Sequence, residues 1–252
     1  MQPRHLPRLG PRFWAALCLA SIFGANMGDF FAHDLGLGHV RGLPFLALAL
    51  AIVFVIERFD RLSHEVWYWL AIIIIRTAAT NVGDLMSGDF KLPRLIGMAV
   101  LTILLVAAVA IGNRVTPPSH DRDSPVLRAD AFYWAGMLVA GALGTVMGDY
   151  FSHNLRLGDA RGALVLSAAL AVLFALGTNG RVRWPALFWA TIVLVRAAGT
   201  CAGDLLAQRG LLGLATSTVV TGVAFVVLLL AWRRRQSASP GTADRTGAGA
   251  AS

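Results

Sequence analysis

Eight apolar runs, at residues 12–32, 43–57, 65–87, 94–112, 131–152, 163–178, 184–207 and 211–232, leave the chain little that can face water. About 20 apolar residues cross a bilayer as a helix, because a helix satisfies its own backbone polar groups in hydrocarbon. The predicted fold is therefore all-α: a polytopic membrane helix bundle of about eight transmembrane helices. The second and sixth runs are short and read as tilted, thinned or partly re-entrant. Composition agrees, with 56% hydrophobic and 14% charged residues, where a soluble domain carries about 25% charged. A soluble enzyme, a disordered chain and a disulfide scaffold are excluded on that ground. The expected surroundings are the lipid bilayer.

The chain repeats. At an offset of 120 residues, Trp14 aligns with Trp134, Met27-Gly28-Asp29 with Met147-Gly148-Asp149, and His33 with His153. Arg41-Gly42 falls on Arg161-Gly162, Trp69 on Trp189, Arg76 on Arg196, and Gly83-Asp84-Leu85 on Gly203-Asp204-Leu205. From Arg12 to Ser87 there are 28 identities in 76 ungapped positions. Each half is itself double, since Trp14 and Asp29 recur 55 residues on as Trp69 and Asp84, and Trp134 and Asp149 as Trp189 and Asp204. The expected organisation is two parallel four-helix repeats. Residues 1–112 form the first half (quarters 12–58 and 65–112), 113–130 a linker, 131–232 the second half, and 233–252 a basic, disordered tail. The first run resembles a signal peptide in outline, but its counterpart at 131–152 marks it as a retained helix.

The charge excess, 22 basic against 14 acidic residues, sits in short segments between apolar runs, so it reads as a determinant of orientation and not of nucleic-acid binding. Eight spans put both termini on one side, with fourteen basic residues there against six on the other. That asymmetry predicts cytoplasmic termini in a bacterial inner membrane. If the short runs fail to cross, the halves instead become inverted repeats. Cys18 and Cys201 lie inside apolar runs and form no CxxC, which predicts neither a zinc site nor a disulfide framework.

In every quarter the Asp follows the Trp by 15 residues, a helical rise of about 22 Å. Four repeats entering in one direction bring Asp29, Asp84, Asp149 and Asp204 to a similar depth, nearer the outer face. Arg76 and Arg196 lie seven residues past Trp69 and Trp189, deeper in the apolar span. At roughly 2.5–3.5 kcal/mol per central charge, all six must face the bundle interior, pair, or line water. Arg76 is about 12 Å along the axis from Asp84, which sends it to another helix, with Asp29 or Asp149 the expected partner. Intramembrane ionisable residues point to function, so the six are the candidate substrate- or ion-binding residues. The bland alternative is that Asp–Arg pairs clamp the helices.

Gly24-x3-Gly28, Ala79-x3-Gly83, Gly144-x3-Gly148 and Gly199-x3-Gly203 are small-xxx-small stripes, predicted to let the Asp-bearing helices touch as an inner ring. His33 and His153 follow Asp29 and Asp149 by four residues, a spacing that suits a divalent metal. Asp29, His33, Asp149 and His153 are thus a candidate metal set. Arg41 and Arg161, which open their helices, read as headgroup anchors. No resident cofactor is expected.

The runs Arg76-Thr-Ala-Ala-Thr-Asn-Val-Gly-Asp84 and Met27-Gly-Asp-Phe-Phe-Ala-His-Asp-Leu-Gly-Leu-Gly38 resemble a bacterial family of uncharacterized membrane-anchored proteins. That family is defined by a repeat of unknown function, often present four times per chain. The resemblance covers residues 12–232, and the fourth quarter departs from it at Gln208-Arg209-Gly210. It implies an architecture and no activity. The Gly-Asp helices are also similar to those of small manganese and calcium exporters. Where some of those carry a Glu two residues before the Gly, this chain has Asn26, Asn81, Val146 and Cys201. The leading expectation is a proton- or ion-coupled transporter, with a divalent cation or protons as partner. A cation channel, a membrane-embedded lipid-processing enzyme and a scaffold are the alternatives, and the enzyme is not expected.

Overall fold

The computed structural model describes residues 7, 9–60, 65–115, 129–176 and 185–237. Its eight helices are α1 (Pro11–Asp29), α2 (Gly38–Phe59), α3 (Val66–Asp84), α4 (Arg94–Val115), α5 (Ala131–Asp149), α6 (Gly158–Leu176), α7 (Pro185–Ala207) and α8 (Leu214–Ser237). All eight contain segments long and apolar enough to cross a membrane. That holds for α2 and α6, at 22 and 19 residues, so the short apolar runs were helices whose polar ends the hydropathy pattern hid. With eight spans the halves are parallel. Helix α8 runs through Ser237, past the start of the segment read as a tail. Most of the linker 113–130 and the residues after 237 lie outside the described residues.

The odd-numbered helices form an inner ring, α1 on α3, α3 on α5, α5 on α7 and α7 back on α1. The even-numbered helices clad it, and each packs mainly on the inner helix of the next quarter: α2 on α3, α4 on α5, α6 on α7 and α8 on α1. Between 50% and 67% of the inner spans is buried, against 11–28% of the outer ones. An apolar outer face costs nothing in hydrocarbon, so the outer helices need polar groups only at their ends.

The same contacts recur in each quarter. Phe13 meets Trp69 at 5.9 Å, Tyr68 meets Trp134 at 5.6 Å, Tyr133 meets Trp189 at 5.9 Å and Phe188 meets Trp14 at 5.9 Å. These aromatic pairs fill the bundle at the helix starts. The small-residue stripes fit the ring together, since a Cβ on Gly28 would lie 2.7 Å from Thr80 Cβ, and one on Gly83 2.9 Å from Thr145 Cβ. A Cβ on Gly148 would stand 3.0 Å from the Ala197 carbonyl oxygen, and one on Gly203 2.6 Å from Asn26 Oδ1. The outer helices repeat the pattern. Gly42 faces Asn81, Gly97 faces Val146 and Gly162 faces Cys201, while Ser217 accepts a hydrogen bond from Asn26 at 3.1 Å. The chain is a closed pseudo-fourfold ring whose last helix seals against its first.

Candidate functional site

Helices α1, α3 and α5 end at their aspartates, whereas α7 continues three residues past Asp204 to Ala207. In the first three quarters a π-helical turn follows, at Phe30–Asp34, Leu85–Asp89 and Tyr150–Asn154. The chain then reverses through a left-handed residue seven positions past the Asp: Gly36 (φ 65°), Lys91 (φ 50°) or Arg156 (φ 56°). The fourth quarter has no π turn and reverses at Gly213 (φ 76°), consistent with its divergent Gln208-Arg209-Gly210.

Asp29, Asp84, Asp149 and Asp204 are all half-buried, touching both the bundle interior and its open end. They act on one another electrostatically, and all four act on Arg76. The four carboxylates thus lie within electrostatic reach of Arg76 and of one another. Among the described residues one direct ion pair reaches the quartet, Arg94 Nε to Asp149 Oδ2 at 3.9 Å. Around the rim the quarters are latched in turn. His39 pairs with Asp89 at 3.2 Å, Arg94 donates to Asn154 Oδ1 at 2.9 Å, and Gln208 donates to Asp159 Oδ2 at 2.9 Å.

Arg76 is fully buried, but its partners are not the expected carboxylates. Its Nη1 donates to Thr80 Oγ1 at 2.7 Å and to Thr145 Oγ1 at 2.9 Å. Its Nη2 donates to Thr200 Oγ1 at 2.7 Å and to the Arg196 carbonyl oxygen at 3.4 Å, and its Nε to Ser21 Oγ at 3.4 Å. All five guanidinium donors are thus satisfied by neutral oxygens. The reason is axial. Thr80, Thr145 and Thr200 each lie four residues before their Asp, about 6 Å below it, so the guanidinium meets a ring of hydroxyls before it reaches the acids. It plugs the axis just beneath the quartet. Aligning the four quarters four residues before each Asp would have exposed this layer, since three of its members are Thr and the fourth is Ala25.

Arg196 is fully buried as well, yet Nε, Nη1 and Nη2 have no hydrogen-bond partner among the described residues. The groups acting on it most strongly are Arg76, Tyr68, Tyr133 and Cys18. Tyr68 and Tyr133 join hydroxyl to hydroxyl at 2.6 Å. Neither tyrosine was a sequence candidate. Each is the one member of its aligned pair with a hydroxyl, since Phe188 and Phe13 stand at the equivalent places.

The proposed metal set does not assemble. Among the described residues no group of three or more His, Cys, Asp or Glu is placed to hold a metal ion. The His33 ring packs edge-on against His39 at 5.5 Å, and His153 Nδ1 lies 3.3 Å from its own helix's Asp149 carbonyl oxygen. The π turns after the aspartates carry both imidazoles to the exposed rim. The positions that correspond to the exporters' Glu point outward to α8, α2, α4 and α6, and not to the axis.

Residues 12–61, 67–116, 132–178 and 187–238 each match one copy of the Repeat of Unknown Function (DUF347). The chain belongs to the DUF347 repeat family. Each DUF347 copy takes one inner helix, its aspartate, and the outer helix that clads the neighbouring copy. Four DUF347 copies are thus the smallest number that closes this ring. No curated protein and no solved structure matches the chain.

Proposed function

We propose that this multi-pass membrane protein is a proton- or cation-coupled transporter, with the aspartate quartet as its cation-binding vestibule and Arg76 as fixed countercharge. The observation that carries the reading is the convergence of four half-buried carboxylates on a single guanidinium that they do not directly pair with. A clamp would pair its charges off, whereas this arrangement sets four carboxyl groups against one buried guanidinium at a solvent-touching end. Without a preassembled metal cage, protons or loosely coordinated cations suit the vestibule better than a tightly held divalent metal.

The axis below the vestibule is filled by the Arg76 plug and then by the aromatic pairs. That filling favours alternating access over a standing pore. The positive-inside asymmetry orients the vestibule toward the outside and both termini toward the cytoplasm.

The test is reconstitution into vesicles holding a trapped pH dye, with an imposed membrane potential and a series of monovalent and divalent cations. Saturable flux is expected, reduced at least about tenfold by Asp29→Asn with Asp149→Asn. Flux equal to protein-free vesicles for protons and for every cation overturns the proposal. Steady single-channel conductance would replace it with the channel.

A further inference from the structure

The two arginines are equivalent in the repeat and opposite in their surroundings. Ser21 and Thr145, which accept from Arg76, become Gly141 and Ala25 at the positions equivalent for Arg196. Tyr68 and Tyr133, which act on Arg196, become Phe188 and Phe13 at the positions equivalent for Arg76. These four differences between the halves run the same way. They furnish acceptors for one guanidinium and withhold them from the other, while placing two hydroxyls near the one left without. Divergence that merely relaxed the symmetry would not sort itself so. A sealed guanidinium with three unpartnered nitrogens costs several kcal/mol unless a ligand pairs with it.

We infer that Arg196, Tyr68 and Tyr133 form a binding site for one small monovalent anion inside the bundle. Two kinds of donor are available to such a ligand, guanidinium N–H and a phenol O–H. The Arg196 nitrogens have no acceptor among the described residues, and the Tyr68–Tyr133 bond uses one hydroxyl hydrogen and leaves the other free. No aspartate stands among the groups acting most strongly on Arg196, and Arg76 adds further positive potential. One negative charge is therefore the complement, and a dianion or a cation is not. The burial of Arg196, Tyr68 and Tyr133 among packed helices favours a ligand of only a few atoms. Chloride, nitrate and formate share the required chemistry. The inference goes beyond the cation vestibule and does not rest on it.

The experiment is equilibrium binding of radioactive chloride to the purified full-length protein in detergent, with gluconate holding ionic strength constant. Thermal unfolding is followed in parallel. About one saturable site per chain is expected, with a rise in Tm of roughly 5 °C between trace and saturating chloride. Nitrate and formate should compete. Arg196→Gln should abolish both effects, and Tyr68→Phe with Tyr133→Phe should weaken binding about tenfold or more. If Arg196→Gln does not fold, the tyrosine pair decides alone, because Phe13 and Phe188 already occupy the equivalent positions. Asp29→Asn with Asp149→Asn should retain anion binding, which separates this site from the vestibule. No saturable binding by the unaltered protein up to about 100 mM of each anion, or binding unchanged in both the arginine and tyrosine variants, overturns the inference.

Discussion

Arg76 donates a hydrogen bond from Nη2 to the backbone carbonyl oxygen of Arg196, its own counterpart 120 residues along the chain, at 3.4 Å. The two residues sit on α3 and α7, which face each other across the ring. Two guanidiniums cannot share one point on the axis, because their mutual repulsion grows as the medium becomes less polar. One therefore rises into the threonine layer beneath the aspartates, and the other stays near Tyr68 and Tyr133. A nearly fourfold framework thus holds an asymmetric centre.

Thr145→Val keeps the methyl group that packs against Gly83 and removes the hydroxyl that accepts from Arg76. One donor of a fully buried guanidinium is then unpaired. The expected loss is about 1–3 kcal/mol of stability, read as a lower midpoint in detergent-induced unfolding. A midpoint unchanged from the parent would mean that the threonine layer does not hold the plug.

The contact between α1 and α3 leaves no room at Gly28, where an added Cβ would lie 2.7 Å from Thr80 Cβ and 3.1 Å from the Thr77 carbonyl oxygen. Gly28→Ala should destabilise by about 1–3 kcal/mol. Gly88→Ala, with nothing within 4 Å, should leave thermal unfolding unchanged. Equal effects at the two sites would contradict the close approach of the inner helices.

The cladding of each quarter by its predecessor is open to cross-linking. His39, at the start of α2, pairs with Asp89, at the turn after α3. Cysteines at these two positions should form a disulfide under mild oxidation. A protease site placed at residues 61–64 would then yield fragments that separate on a gel only after reduction. Fragments that separate without reduction would argue against the ring order.

Leu35 and Leu155 are exposed beyond the aspartates of the first and third quarters, whereas Arg58 and Arg114 lie exposed at the far ends of α2 and α4. Single cysteines at Leu35 and Leu155 should react with a membrane-impermeant thiol reagent from the same side of the membrane. Cysteines at Arg58 and Arg114 should react from the other. Labelling of Leu35→Cys and Leu155→Cys from opposite sides would make the halves inverted, and the aspartates would no longer meet.

Much of this was legible in the sequence because membrane helices obey local rules. Hydropathy located the helices, although α2 extends from Gly38 to Phe59 where the apolar run covers only 43–57. Its polar ends lie where the chain leaves hydrocarbon, and hydropathy is weakest there. The constant Trp-to-Asp spacing places each carboxylate at the same height on its own inner helix, since rise per residue is fixed within a helix. The small-residue stripes named the faces that touch. The histidines misled because their spacing was read on a continuing α-helix, whereas Phe30–Asp34 and Tyr150–Asn154 are π-helical and carry them to the rim.

The sequence by itself determined the number of candidate spans, the fourfold repeat and the level of each intrahelical Asp and Arg along its own helix, all of which follow from order along the chain. Only the tertiary structure decided what each charge meets. Arg76 bonds to hydroxyls contributed by α1, α3, α5 and α7 in place of an aspartate, Arg196 finds no hydrogen-bond partner among the described residues, and α8 closes onto α1. Those outcomes depend on which side chains of four separate helices interleave at one level. Burial in hydrocarbon demands that each charge find polar company, but it does not specify whose.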